Sequence, residues 1–193
     1  MKNIFLSYLI LIFISIGCKS SELKVTETLE KPSPITWDEC GYKPGDHLCN
    51  FSLIDQNGDV FDLYENFGSP IVIDLSTGWC GYCQVAAQEV SAVQSKYAEH
   101  GLIYVTILIE DHTGGPVNTE YCENWATSFG IIDSPVLAGN REMIDYPDGN
   151  DGFLVGGWPA FLFLTPDLVI DSELRGYSSA YIDSGIQNIL PEL

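Results

Sequence analysis

The sequence predicts an α/β domain, a mixed central sheet flanked by helices with a hairpin extension on its N-terminal side. Three observations carry that expectation. Two apolar, β-branched runs, residues 70–75 and 102–109, enclose a stretch of helical periodicity, as a strand, a crossover helix and a parallel strand would. A third apolar run, residues 160–164, reaches residues 168–170 through Thr165-Pro166-Asp167, the signature of an antiparallel hairpin. Upstream, Asn57-Gly58 sits between the short apolar runs 51–54 and 60–61, a strong signal for another hairpin.

The elements follow in chain order. Residues 19–33 are polar, mix charges and contain Pro32, which suits a tether rather than a packed segment. After the hairpin, residues 62–68 read as a short helical turn closed by Gly68. The run Pro70-Ile71-Val72-Ile73-Asp74-Leu75 suits a strand buried on both faces. Residues 85–97 place apolar side chains three and four apart, as an amphipathic helix does. Residues 119–129 predict a further helix ending near Gly130, residues 134–138 a short strand, residues 141–152 a polar loop, and residues 178–190 a closing helix.

Between the strand of residues 70–75 and its helix stands Trp79-Cys80-Gly81-Tyr82-Cys83. Two cysteines spaced by two residues can act as a redox pair. The first turn of a helix carries unpaired N–H groups and partial positive charge, which favour thiolate over thiol, so Cys80 is the candidate nucleophile. Cys83, one turn further in, is the candidate resolving thiol. A permanent disulfide and half of a zinc site are the alternatives; no second Cys-x-x-Cys or His pair stands at ligand spacing, and no metal is called for. Asp145, Asp148, Asn150 and Asp151 miss the EF-hand glycine spacing and read as a solvated loop.

The N-terminus differs in kind. Lys2 precedes an apolar run, residues 4–16, shorter than the roughly 20 residues that span a bilayer, so residues 1–17 read as a signal peptide. Its end, Ser15-Ile16-Gly17-Cys18, resembles a bacterial lipobox with Ser15 in place of an aliphatic residue, which makes Cys18 a candidate for lipidation and residues 18–36 a lipid-anchored tether. An ordinary cleaved signal and an uncleaved anchor stay open. Export lets cysteines persist as disulfides. Of the six cysteines, Cys40 and Cys49 bracket a turn-rich spacer and are expected to form a structural bridge, leaving Cys122 as an odd, buried thiol. With 27 acidic against 8 basic residues the net charge of −19 argues against nucleic acid, whose phosphates need Lys and Arg.

The element order, with Trp79-Cys80-Gly81-Tyr82-Cys83 at the first strand–helix junction, resembles the thioredoxin superfamily across residues 45–190. It is most similar to exported, membrane-tethered redoxins of the TlpA/ResA type and to the alkyl hydroperoxide reductase/thiol-specific antioxidant group. Two further stretches carry the resemblance. Gly157-Trp158-Pro159-Ala160-Phe161 resembles the cis-proline segment that faces the cysteine pair in the family, and Asp74, six residues before Cys80, stands where thioredoxins bury an acid beneath the site. The resemblance implies a thioredoxin-like fold over residues 37–193. It implies Cys80, Cys83 and Asp74 as catalytic residues, Asp74 taking the proton of Cys83, and Trp79, Trp158 and Pro159 as substrate-binding residues. It further implies a bacterial periplasmic or envelope lipoprotein, a thiol:disulfide oxidoreductase acting as a reductase on cysteine-containing proteins, fed by a membrane thiol donor and needing no cofactor.

Two other functions remain. Thr77-Gly78-Trp79-Cys80 contains the Thr-x-x-Cys of peroxiredoxins, though Ile73 replaces the proline expected seven residues before the cysteine, and a thiol peroxidase is the first alternative. A non-catalytic redoxin-fold binding lipoprotein with a locked disulfide is the second.

Overall fold

The structure, a computed structural model, describes residues 35–145 and 151–191. The signal segment, Cys18, all of the tether but Ile35 and Thr36, and Asp148 and Asn150 of the acidic loop lie outside the described residues. Two strands, β1 (Ser52–Ile54) and β2 (Val60–Asp62), form an antiparallel hairpin whose turn carries Gly58 at φ 86°, where a side chain would be strained. Asp55 closes this turn by accepting the backbone N–H groups of Asn57 and Asp59.

The main sheet has five strands in the order β5-β4-β3-β6-β7. They are β3 (Ile71–Thr77), β4 (Ile103–Glu110), β5 (Val136–Ala138), β6 (Ala160–Leu164) and β7 (Ile170–Arg175). β3, β4 and β5 run parallel, while β6 is antiparallel to β3 and to β7, so the sheet is mixed. All seven residues of β3 are buried because both faces of this middle strand are covered, which explains why its first half is apolar at consecutive positions, Ile71 to Ile73.

The helices are α1 (Gly81–Tyr97), α2 (Thr119–Phe129) and α3 (Ser179–Ile189). All three give buried residues to one core, where Val72 and Tyr104 meet Ala86, Val90, Trp125, Ile182 and Ile186. The other face of the sheet, with Ile71, Ile73 and Leu75, packs on Leu48, Leu63, Phe153 and Val155. That face is therefore closed by the lead-in before β1 and by the chain between β5 and β6, with no α-helical residue in its buried cluster. The lead-in is held by a disulfide between Cys40 and Cys49, with Cα atoms 4.8 Å apart, and by Trp37 stacked on His47 at 3.8 Å.

Two elements differ from the sequence reading. The strand expected at residues 168–170 begins instead at Ile170 and runs to Arg175, and Leu168 sits in the turn at φ 60°. β7 is an edge strand that alternates exposed with buried or partly buried residues, and four of its six residues are polar, so it escapes a reading based on apolar runs. β3 likewise continues through Ser76 and Thr77, whose side chains are buried although polar.

Candidate active site

The site lies at the C-terminal end of β3, where the chain turns into α1. Cys80 is the N-cap of that helix, in extended conformation, and its Sγ accepts the backbone N–H of Cys83 at 3.2 Å. A helix leaves its first N–H groups without partners, and here a cysteine sulfur satisfies one of them. Both cysteines are free thiols; Cys80 keeps 7% of its surface in contact with solvent, and Cys83 none. Both residues are buried, and Cys80 is the one of the pair that still reaches solvent. Around it Trp79 and Tyr82 are exposed, an apolar rim on an otherwise charged protein.

The turn before Cys80 is tight. Gly78 donates its N–H to the carbonyl of Glu110 at 2.8 Å and accepts Gln84 Nε2 at 3.0 Å. A Cβ at this position would stand 2.1 Å from the Tyr121 hydroxyl and 2.7 Å from the backbone of Asp111 and His112, so only glycine lets α2 approach the motif this closely.

Asp74 is fully buried on the face of the sheet that α1 covers. Ser76 Oγ donates to its Oδ1 at 2.7 Å, and the Tyr104 hydroxyl donates to its Oδ2 at 3.5 Å. Burial raises the carboxyl to about 7, against the opposing pull of these two donors. The Cys83 thiol is also raised, first by burial, next by its bond with Cys80, with the Asp74 charge adding to both. The acid and the inner thiol are therefore electrostatically linked, each disfavouring the other's ionised form.

Trp158 and Pro159 are joined by a cis peptide bond. Because Leu75 pairs with Ala160 across β3 and β6, Pro159 falls beside the end of β3, next to the motif. Trp158 meets Trp79 edge to face, ring centroids 6.5 Å apart and planes at 83°. The sequence-derived residues Cys80, Cys83, Asp74, Trp79, Trp158 and Pro159 are thus gathered at one end of the sheet. Cys40 and Cys49 lie apart in the lead-in, and Cys122 is buried in the helical core, where burial pushes its thiol up to about 12. Thr77 Oγ1 is buried and makes no hydrogen bond, so it engages neither cysteine.

Sequence reasoning missed Glu110 and Arg141. Glu110 ends β4, buried; its Oε2 accepts the Trp79 indole N–H at 2.6 Å and its Oε1 accepts Arg141 Nε. An acid directly after seven apolar or neutral strand residues was the available signal, since such a charge is costly to bury unless it holds a partner. Arg141 gave none, lying in a polar stretch far from the motif in sequence.

No protein-family model matches the sequence, and no curated protein matches it. Solved structures do resemble it. A thiol:disulfide interchange protein of the thioredoxin family from Chlorobium tepidum shares 20% identity at a TM-score of 0.60, covering 81% of this chain and 100% of its own. The exposed lipoprotein thioredoxin of Streptococcus pneumoniae shares 16% at 0.59, covering 72% and 99%. A peroxidoxin of Mycobacterium tuberculosis shares 16% at 0.57, covering 77% and 96%. At these identities the likeness speaks to architecture, and it establishes that this chain has the thioredoxin-like fold.

Proposed function

We propose that the protein is a thiol:disulfide oxidoreductase that reduces disulfides of exported cysteine-containing proteins. The observation that carries this reading is the arrangement of the pair: a Cys80 that reaches solvent at a helix start, a fully buried Cys83 one turn below, and a buried acid linked to it. Cys80 thiolate attacks one sulfur of the substrate disulfide, forming a mixed disulfide and releasing the other sulfur as a thiolate that takes a proton from water. Cys83 then passes its proton to the Asp74 carboxylate and attacks Cys80 Sγ, releasing the second substrate thiolate. The substrate gains two electrons and the protein becomes the Cys80–Cys83 disulfide. A dithiol donor at the membrane returns it to the reduced state.

A carboxyl near 7 is half ionised at neutral pH, which suits a group that must both take up and return a proton. Trp79, Trp158 and Pro159 offer the surface on which the substrate chain lies. Residues 1–17 direct export and Cys18 carries the lipid that holds residues 37–193 at the bacterial envelope through the tether. The likeness to an exposed lipoprotein thioredoxin supports this location.

Trapping tests the reading. Cys83→Ser is expected to accumulate mixed disulfides through Cys80 that name the substrates; no trapped species, together with full activity in Cys80→Ser, would remove it. A thiol peroxidase is the second reading, favoured by the likeness to a peroxidoxin. It requires that Cys80 alone reduce peroxide quickly through a sulfenic acid, which a dimedone-labelling time course measures.

A further inference from the structure

Asp74 has two side-chain donors, and they lead to different places. The Ser76 hydroxyl, bonded to Oδ1, is also a hydrogen-bond partner of the Cys83 thiol, so it stands between the acid and the inner sulfur. The Tyr104 hydroxyl, bonded to Oδ2, belongs to a side chain that lines a cavity of about 370 Å³ between α1 and α3. Ala86 and Val93 of α1 and Ile182 of α3 give this cavity apolar walls, while Glu89, Lys96 and Asp183 bring charge to it. Tyr104 is buried whereas Glu89 and Lys96 are exposed, so the cavity runs from the core to the surface.

Each turnover loads Asp74 with a proton from Cys83, and that proton has to reach solvent before the next. Most directions are shut. Phe161 of β6 pairs with Asp74 and has no exposed surface, and Thr106, opposite on β4, is buried with an Oγ1 that makes no hydrogen bond. Toward the motif stand Cys83, without exposed surface, and Cys80, which a substrate covers while the mixed disulfide lasts. Tyr104 remains, and a phenol both donates and accepts. Polar groups continue beyond it: its hydroxyl is raised by burial and then by the charges of Asp74 and Tyr177, and that of Tyr177 by burial and then by Glu89. These four groups are electrostatically linked from the core to the exposed Glu89. The volume holds several waters, and the lining supplies the two to four polar partners that each needs.

We propose that the cavity between α1 and α3 is the proton port of Asp74, with Tyr104 as the positioning residue that relays the proton at its inner end. The inference rests on the oxidoreductase reading and deepens it, because it separates the exit of the proton from the face that holds the substrate. Protonated Asp74 gives its proton to the Tyr104 oxygen as the Tyr104 hydroxyl proton passes to water in the cavity and on to a buffer base. The carboxylate is left ready for the next Cys83 proton and the phenol is restored. The two transfers are concerted, so no phenolate forms beside the carboxylate, where burial disfavours it.

The test reads the rate at which Asp74 exchanges its proton, from carbon-13 relaxation dispersion of its carboxyl near the titration midpoint, which reports rate and midpoint separately. Tyr104→Phe keeps the ring and removes the relay. Ala92→Phe and Ala180→Phe fill the cavity from exposed positions, and thermal unfolding shows that each variant is folded. All three are expected to slow exchange by about tenfold or more. In Cys83→Ser, a peptide held on Cys80 as a mixed disulfide is expected to leave the exchange rate as it is without the peptide. An unchanged rate in the folded Tyr104→Phe or in both folded cavity variants would overturn the port, and so would a peptide on Cys80 that slows exchange tenfold. Reduction of protein disulfides by wild type is measured alongside: with it intact, those results leave the oxidoreductase reading in place, whereas failure to reduce any disulfide would overturn both.

Discussion

Asp74 has the sharpest expected pH behaviour of any single side chain in the site. Its carboxyl is raised from an ordinary 3.8 to about 7 by burial, so the folded protein binds that proton more tightly than the unfolded chain does. The resulting stability is fully present below about pH 4 and is lost as pH rises through 7, a swing on the order of 4 kcal/mol at about 1.4 kcal/mol per pH unit. Asp74→Asn, which cannot ionise, should flatten the dependence of urea unfolding on pH between 4 and 8. Kinetically, the ionised acid is the base, so attack by Cys83 on a Cys80 mixed disulfide should quicken as pH rises through 7 in wild type. In Asp74→Asn that step should slow more than the initial attack by Cys80, and stopped-flow measurement of the two steps separates them. Tyr104 donates to the same carboxylate and pulls its proton affinity down, so Tyr104→Phe should move the midpoint of the Cys83 step upward.

Among the elements, the end of β4 and the chain after β5 are tied through Glu110 and Arg141, the former buried and the latter half exposed. Arg141→Leu leaves a buried carboxylate short of its cation and should cost about 1–3 kcal/mol in chemical denaturation. The lead-in is secured differently: the loop closed between Cys40 and Cys49 spans nine residues of separation, and removing the bridge as Cys40→Ser/Cys49→Ser should cost about 2–3 kcal/mol on the loop-entropy account. What was legible in the sequence follows the same division. The buried strands and the capped helices showed themselves, because covering both faces of β3 demands an apolar run and closing α2 in left-handed conformation demands Gly130. Cys80, Cys83 and Asp74 stood out through spacing along one strand and one helix. β7 did not, since an edge strand keeps one polar face, and the pairing of Glu110 with Arg141 did not, since it depends on the end of β4 meeting the chain after β5 in space.

At the scale of the whole molecule the net charge of −19 repels acidic surfaces within about a Debye length, so the proposed attachment to the envelope is assigned to the N-terminal segment rather than to the domain surface. Detergent partitioning of the full chain should place wild type with the detergent and Cys18→Ser in the aqueous phase. The reductase reading likewise requires a potential nearer to thioredoxin's, about −270 mV, than to the roughly −120 mV of a strong oxidant, as equilibration with glutathione would read. The Cys80 sulfur accepts the Cys83 amide in the dithiol form, and a thiolate accepts such a bond more strongly than a disulfide sulfur does, so the bond favours the dithiol over the disulfide. Taken at the about 1 kcal/mol of an ordinary helix cap, and with about 1.4 kcal/mol corresponding to 30 mV, it moves the couple toward oxidising values by roughly 20 mV. That is a small part of the roughly 150 mV between a thioredoxin and a strong oxidant, so a helix that begins on Cys80 is compatible with the proposed direction of electron flow.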